Sequence, residues 1–283
     1  MKPAAARCAA TCVVLSAFAG VAEVSAQARA AAPAPVKVRL VAAPAAASRP
    51  STAWVGLRFE IERGWHIYWR NPGDSGGPPE VRWALPAGAV AGPLRWPVPE
   101  RIPADGIVNY GYHGDVVLPA ELRAPAGGWP AGPFVVAATV KWLVCREVCL
   151  PGKADVSIEF PAGGATPSGR AAPPGDVARA LARVPGPLPA GWRVTGSQTG
   201  DSFSVSIETG HPESTADFFP MKVAQVDAAS PVAAAPHPRG VTLTLRKSDF
   251  LSAPVASLEG VVVLSGGRAY EVSVPITNHR NHP

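Results

Sequence analysis

Apolar residues recur at every second position through much of this chain, and the runs are cut short by glycine and proline. Val136, Ala138, Val140, Trp142 and Val144 make the longest of these alternations. A period of two turns one row of side chains toward a core and the other toward solvent, so the run reads as a half-buried strand. Val36, Val38 and Leu40 repeat the pattern, as do Val55, Leu57, Phe59 and Ile61. With 28 glycines, 33 prolines and 17% charged residues in 283, the composition fits many short strands rather than a helix bundle. The expected fold is all-β, and the length points to two sandwich domains.

The long alternation runs straight into Cys145, followed by Arg146, Glu147, Val148 and Cys149. These are the only cysteines beyond the first dozen residues. Cys145 is expected at or just past a strand end. Pro151-Gly152 reads as a turn, with Cys149 in it or on the return limb. A tight reversal can bring two Cα atoms within the roughly 4.4 to 6.8 Å that a disulfide needs. Such a bridge closes a five-residue loop and stabilises by only about 2 kcal/mol, against about 4.7 for a loop of 100 residues. Its value as a staple is therefore small. A short, exposed pair also suits cycling between dithiol and disulfide, with Arg146 favouring a thiolate and Glu147 opposing it. A structural bridge, a redox pair and a metal site all remain open on these residues alone.

Three separated segments add a resemblance. Gly64-Trp-His-Ile-Tyr-Trp-Arg-Asn-Pro-Gly-Asp-Ser-Gly76, Val108-Asn-Tyr-Gly-Tyr112 and Lys141-Trp-Leu-Val-Cys-Arg-Glu-Val-Cys-Leu-Pro-Gly152 together resemble the N-terminal periplasmic region of the DsbD and ScsB thiol:disulfide interchange proteins. The resemblance implies an immunoglobulin-like domain whose cysteine pair takes electrons from a membrane domain and hands them to periplasmic partners. Cys145 and Cys149 match the redox pair. Asn109, Tyr110 and Gly111 match a loop that caps it, with the Tyr110 ring as shield. His66 and Tyr68 share a strand face and, by the same resemblance, line the site. The three-residue spacing between the cysteines is shorter than in the best-known DsbD members and resembles ScsB-like proteins, so donor and acceptor do not carry over by name. The partners implied are a membrane electron donor of DsbD or CcdA type and periplasmic thioredoxin-like or isomerase acceptors. Full-length relatives continue into membrane and thioredoxin-like domains, so a chain ending at Pro283 is expected to receive electrons in trans or to be truncated.

The remaining sequence frames this region. Lys2, Arg7, the apolar run Cys8–Ala22 and Val24-Ser25-Ala26 have the architecture of a cleavable signal peptide over residues 1–26. Export to the periplasm follows, with Cys8 and Cys12 removed. Residues 27–161 are expected to form the first domain and 162–174 a Gly/Ala/Pro/Ser linker crossed by few contacts. Residues 175–283 then form the second sandwich, entered through one short helix that Asp176 caps. Strands are expected at 80–84, 94–96, 115–122, 192–195, 203–207, 221–226, 241–245, 258–264 and 270–274.

The net charge of +5 comes without a Lys/Arg cluster, which argues against nucleic acid. No phosphate loop, catalytic triad order or histidine spacing for a metal stands out, so no cofactor is expected. Two further readings stay beside thiol exchange: a non-catalytic two-domain interaction protein with a structural disulfide, and a Cu(I)-handling domain using both thiolates.

Overall fold

The computed structural model describes residues 34–43, 51–161 and 175–278. The expected leader and linker lie outside them.

The alternating runs become strands with one face inward. In chain order these are β1 (Val36–Ala42), β2 (Thr52–Ile61), β3 (His66–Gly73), β4 (Glu80–Ala84), β5 (Val90–Ala91), β6 (Glu100–Ala104), β7 (Ile107–His113), β8 (Asp115–Arg123), β9 (Phe134–Cys145) and β10 (Cys149–Phe160). They pair as one sheet in the order β1-β2-β8-β5 and a second in the order β10-β9-β3-β7-β6, with β4 also on β9. Val55, Leu57 and Phe59 of the first sheet and Val136, Val140, Trp142 and Val144 of the second share one hydrophobic core. Burying each such side chain contributes about 1.5–3 kcal/mol. The edge of β9 is divided: β3 pairs with Val144 and Cys145, and β4 with residues 137–141.

The second part begins with α1 (Asp176–Ala182) and continues through β11 (Gly186–Pro187), β12 (Arg193–Thr199), β13 (Ser202–Glu208), β14 (Ala216–Pro220), β15 (Ala233–His237), β16 (Gly240–Arg246), β17 (Ser257–Leu264) and β18 (Ala269–Asn278). β18 pairs with β17 along its first part and with β12 at its end. It therefore joins the β14-β17-β18 layer to the β12-β13-β16-β15 layer, and both layers feed one core around Phe203, Val205, Leu243, Leu258 and Val274.

Several local expectations are corrected. Residues 94–96 form no strand. Residues 221–226 form none either, apart from a single bridge from Val226 to Lys247; the strand lies earlier, at β14, where Asp217 and Pro220 hide the alternation. β15, built from Ala233-Ala-Ala-Pro-His237, has too little β-branched character to read as a strand. Pro151-Gly152 is not a turn but lies within β10, where an edge strand accepts proline. Asp176 does not cap α1; Gly175 occupies that position, and the Asp176 carboxylate accepts from Arg58 Nη1 of β2 at 2.7 Å. Val177 packs with Val41, so the helix that follows the linker rests on the first sandwich.

Contacts across the boundary are not sparse as expected. Asn71 Nδ2 donates to the Pro220 carbonyl at 2.7 Å. Arg101 of β6 donates to both Asp217 oxygens, at 2.8 and 3.2 Å. Its remaining donors reach the Phe218 and Ala228 carbonyls, and Phe219 enters the first core. The segment after the linker thus fills a gap in the first sandwich rather than hanging from it.

Candidate functional site

The β9–β10 hairpin pairs in unbroken register from Phe160 opposite Phe134 to Cys149 opposite Cys145. The cysteines are the last and first residues of their strands, and Arg146-Glu147-Val148 make the turn. They form a disulfide with a Cα–Cα distance of 4.1 Å. Farther down, Trp142 lies across Gly152, where an added Cβ would come within 2.2 Å of the indole. Glycine at 152 thus serves close approach rather than a bend.

Register decides what surrounds the sulfurs. His66 pairs with Cys145 on one side and His113 on the other, and Tyr68 pairs with Gly111. Because strand side chains alternate in face, His66, Tyr68 and Cys145 share the outer face of the sheet. Ile67, Trp69 and Val144 point into the core. The Tyr68 hydroxyl donates to Cys145 Sγ at 2.9 Å and lies 3.6 Å from Cys149 Sγ. Burial raises the Tyr68 pKa, with a hydrogen bond from Ser75 opposing it, so the phenol stays protonated and able to donate. The His66 ring stands edge-on to Tyr68, with centroids 5.2 Å apart, and 5.8 Å from the His113 ring. Burial first, and the charge of His113 second, bring the His66 pKa down to about 4. Its imidazole is neutral at pH 7, and its Nε2 has no hydrogen-bond partner.

The two sulfurs are unequal. Cys145 is 3% exposed, whereas Cys149 is open to solvent between the exposed side chains of Val148 and Leu150. Arg146, in the turn between the two cysteines, places its guanidinium 5.0 Å from the centre of the Trp65 ring.

The expected cap is corrected. Tyr110 of β7 points to the core side of the sheet, with its ring 6.4 Å from Trp69 and 5.5 Å from Phe219. Its hydroxyl is 3.4 Å from Arg101 Nη1, and burial pushes its pKa up to about 12. It cannot shield sulfurs on the opposite face. Asn109 and Gly111 act from the outer face, but as supports. Asn109 Oδ1 accepts from Ser75 N at 3.1 Å and Ser75 Oγ at 2.9 Å, pinning the loop after β3. That loop brings Gly76 flat against the Tyr68 ring, where a Cβ would come within 2.1 Å of it. Gly76 also has φ +84, a left-handed conformation suited to glycine. Gly76 and Ser75 were not singled out from the sequence. Their signal was there, in a turn-rich run directly after an aromatic strand, but a turn reading alone does not say what the turn covers.

Among the described residues, no group of three or more His, Cys, Asp or Glu side chains is arranged to hold a metal, and no helix is long and apolar enough to cross a membrane.

The immunoglobulin-like sandwich thus presents a hairpin disulfide with one sulfur sheltered and one open. Residues 32–161 match the family model described as "Thiol:disulfide interchange protein DsbD, N-terminal". Among solved structures, the N-terminal periplasmic domain of ScsB from Proteus mirabilis matches with a TM-score of 0.59 and 18% identity, over 85% of this chain and 92% of that one. That likeness extends the shared fold beyond the family match into the second sandwich. The periplasmic chaperones SfaE and YadV align over 86% of this chain, and 99% and 100% of their own, at 9% and 12% identity; their TM-scores of 0.22 and 0.24 carry no argument. No curated protein sequence matches.

Proposed function

We propose that the Cys145–Cys149 pair is a periplasmic electron relay, reduced by a membrane dithiol donor of DsbD or CcdA type and oxidised by thioredoxin-like or isomerase acceptors. The observation that carries this reading is the pairing of an open Cys149 with a buried Cys145 whose sulfur already accepts a hydrogen bond from Tyr68 at 2.9 Å. An incoming thiolate attacks Cys149 Sγ, the accessible sulfur. The S–S bond breaks, Cys145 leaves as a thiolate, and the Tyr68 hydroxyl, held protonated by burial, donates to the developing charge. A second donor thiolate then attacks the donor's own sulfur in the mixed disulfide, releasing Cys149 as a thiolate. The donor ends as a disulfide and this protein as a dithiol, its thiolates taking protons from water. Passing two electrons to an acceptor disulfide runs the same steps in reverse, with Cys149 attacking and Cys145 resolving. Neutral His66 adds no fixed charge beside the sulfurs, so the polar help on this face comes from the phenol.

The test is covalent trapping in exported protein. Cys145→Ser leaves an open thiol without a resolving partner and is expected to accumulate mixed disulfides with partner proteins; Cys149→Ser is expected to trap few. Dominant trapping through Cys145 reverses the roles, and none through either favours a structural bridge.

A further inference from the structure

The disulfide is the first of three rungs on one face of the β9–β10 hairpin. Cys145 faces Cys149, Leu143 faces Pro151, and Lys141 faces Lys153; residues two apart on a strand share a face. A cavity of about 440 Å³ opens over the second and third rungs, walled on its far side by Pro78 and Glu80. At about 3.4 Å per residue, the apolar rung lies roughly 7 Å from the disulfide and the lysine rung roughly 14 Å.

The lysine rung is unusual. Like charges directly opposite each other on an antiparallel ladder destabilise it, and neither lysine makes an ion pair among the described residues. Glu80 sits beside Lys141 in the β4–β9 register and offsets one charge. Asp155, next on the face after Lys153, accepts a hydrogen bond from Thr139 Oγ1 at 2.6 Å and keeps its charge, while Arg82 lies opposite Thr139 and adds a cation. Lys141, Lys153 and Arg82 set against Glu80 and Asp155 leave a net positive charge at the end of the trough away from the disulfide.

We infer that this trough seats an extended segment of the partner protein flanking its reactive cysteine, with an apolar side chain two positions from that cysteine and a carboxylate four positions away. The inference rests on the exchange reading, because a mixed disulfide at Cys149 is what lays a partner's flanking residues along these rungs. The spacing follows from strand geometry. A segment running alongside the hairpin repeats the same interval, so its second residue meets Leu143, Pro151 and Pro78, and its fourth meets Lys141 and Lys153.

The experiment uses synthetic peptides with one cysteine, Cys-Gly-Leu-Gly-Glu and Cys-Gly-Leu-Gly-Lys, each also in reversed order. The rate at which each opens the disulfide is divided by the rate with neutral 2-mercaptoethanol in the same protein. The acidic peptide in one of the two orders is expected to be about tenfold faster than its lysine counterpart, with the preference shrinking in high salt and reversing in a Lys141→Glu, Lys153→Glu double variant. Lys153→Gln is expected to reduce the preference without reversing it. Equal normalised rates for acidic and basic peptides, with 2-mercaptoethanol still opening the bond, overturn the trough and leave the exchange reading standing. Failure of every thiol to open the bond overturns the exchange reading and this inference with it.

Discussion

Tyr68 and Tyr110 stand on neighbouring, hydrogen-bonded strands of one sheet, and they do opposite jobs because they face opposite ways. Tyr68 looks outward, with its hydroxyl on Cys145 Sγ. Tyr110 looks inward, wedged between Trp69 and Phe219 beside the Arg101–Asp217 ion pair that ties the two sandwiches together. One face carries the disulfide and the other carries cohesion. Two aromatic residues of the same type, both buried, are thus told apart by strand parity and not by composition. If the two faces are independent, substitutions on one should leave the other's readout alone.

The largest effect is expected from Cys149→Ser, which removes exchange entirely in a reduction assay yet lowers stability by only about 2 kcal/mol, the worth of so short a loop. Next, Arg101→Ala leaves the Asp217 carboxylate and the Phe218 and Ala228 carbonyls without their donor. A loss of about 2 kcal/mol in a denaturant melt is expected, with the rate of opening by 2-mercaptoethanol within twofold of the parent. A large change in that rate would break the separation of the two faces.

Tyr68→Phe keeps the ring under Gly76 and deletes the donor to Cys145. Losing one hydrogen bond to a developing thiolate corresponds to about 1.4 kcal/mol, or about tenfold slower opening, with little change in melting. His66 gives a pH test of the outer face. With its pKa near 4 in the folded protein against 6.5 ordinarily, the unfolded chain binds the extra proton. Stability is therefore full well above pH 6.5 and falls as pH drops through 6.5 toward 4, by about 2 kcal/mol at pH 5. His66→Gln should flatten that slope in melts at graded pH. The smallest effect belongs to Tyr110→Phe, which loses one long contact to Arg101 and should shift neither melting nor the opening rate beyond about 0.5 kcal/mol or twofold.

Strands β1, β2 and β9 of the first sandwich were legible because each alternates cleanly, and β9 led directly to Cys145; β5, β6 and β7 were not read as strands. Cys145, Cys149, His66 and Tyr68 were named from the sequence and come together on one face. The cap was misplaced for a physical reason. Val108, Tyr110 and Tyr112 alternate with Asn109 and Gly111, which is itself a strand pattern with the tyrosines on one side, but glycine and tyrosine together read as a mobile loop. The register break between Tyr68 and Gly73 adds to this, because parity cannot be carried through it from sequence. The seam was invisible for another reason. Arg101, Asp217 and Phe219 are far apart in the chain, and nothing local marks an arginine on β6 as the partner of an aspartate on β14.

The central claim, that this hairpin disulfide cycles, is tested most directly by a redox titration of the purified protein against dithiothreitol and glutathione buffers, reading free thiols at equilibrium. Reversible two-electron reduction with a midpoint between about −270 and −120 mV, the span of exchange-active proteins, is the expected result. A bond that stays oxidised below about −300 mV, where structural disulfides lie, would contradict the account and make Cys145–Cys149 a staple.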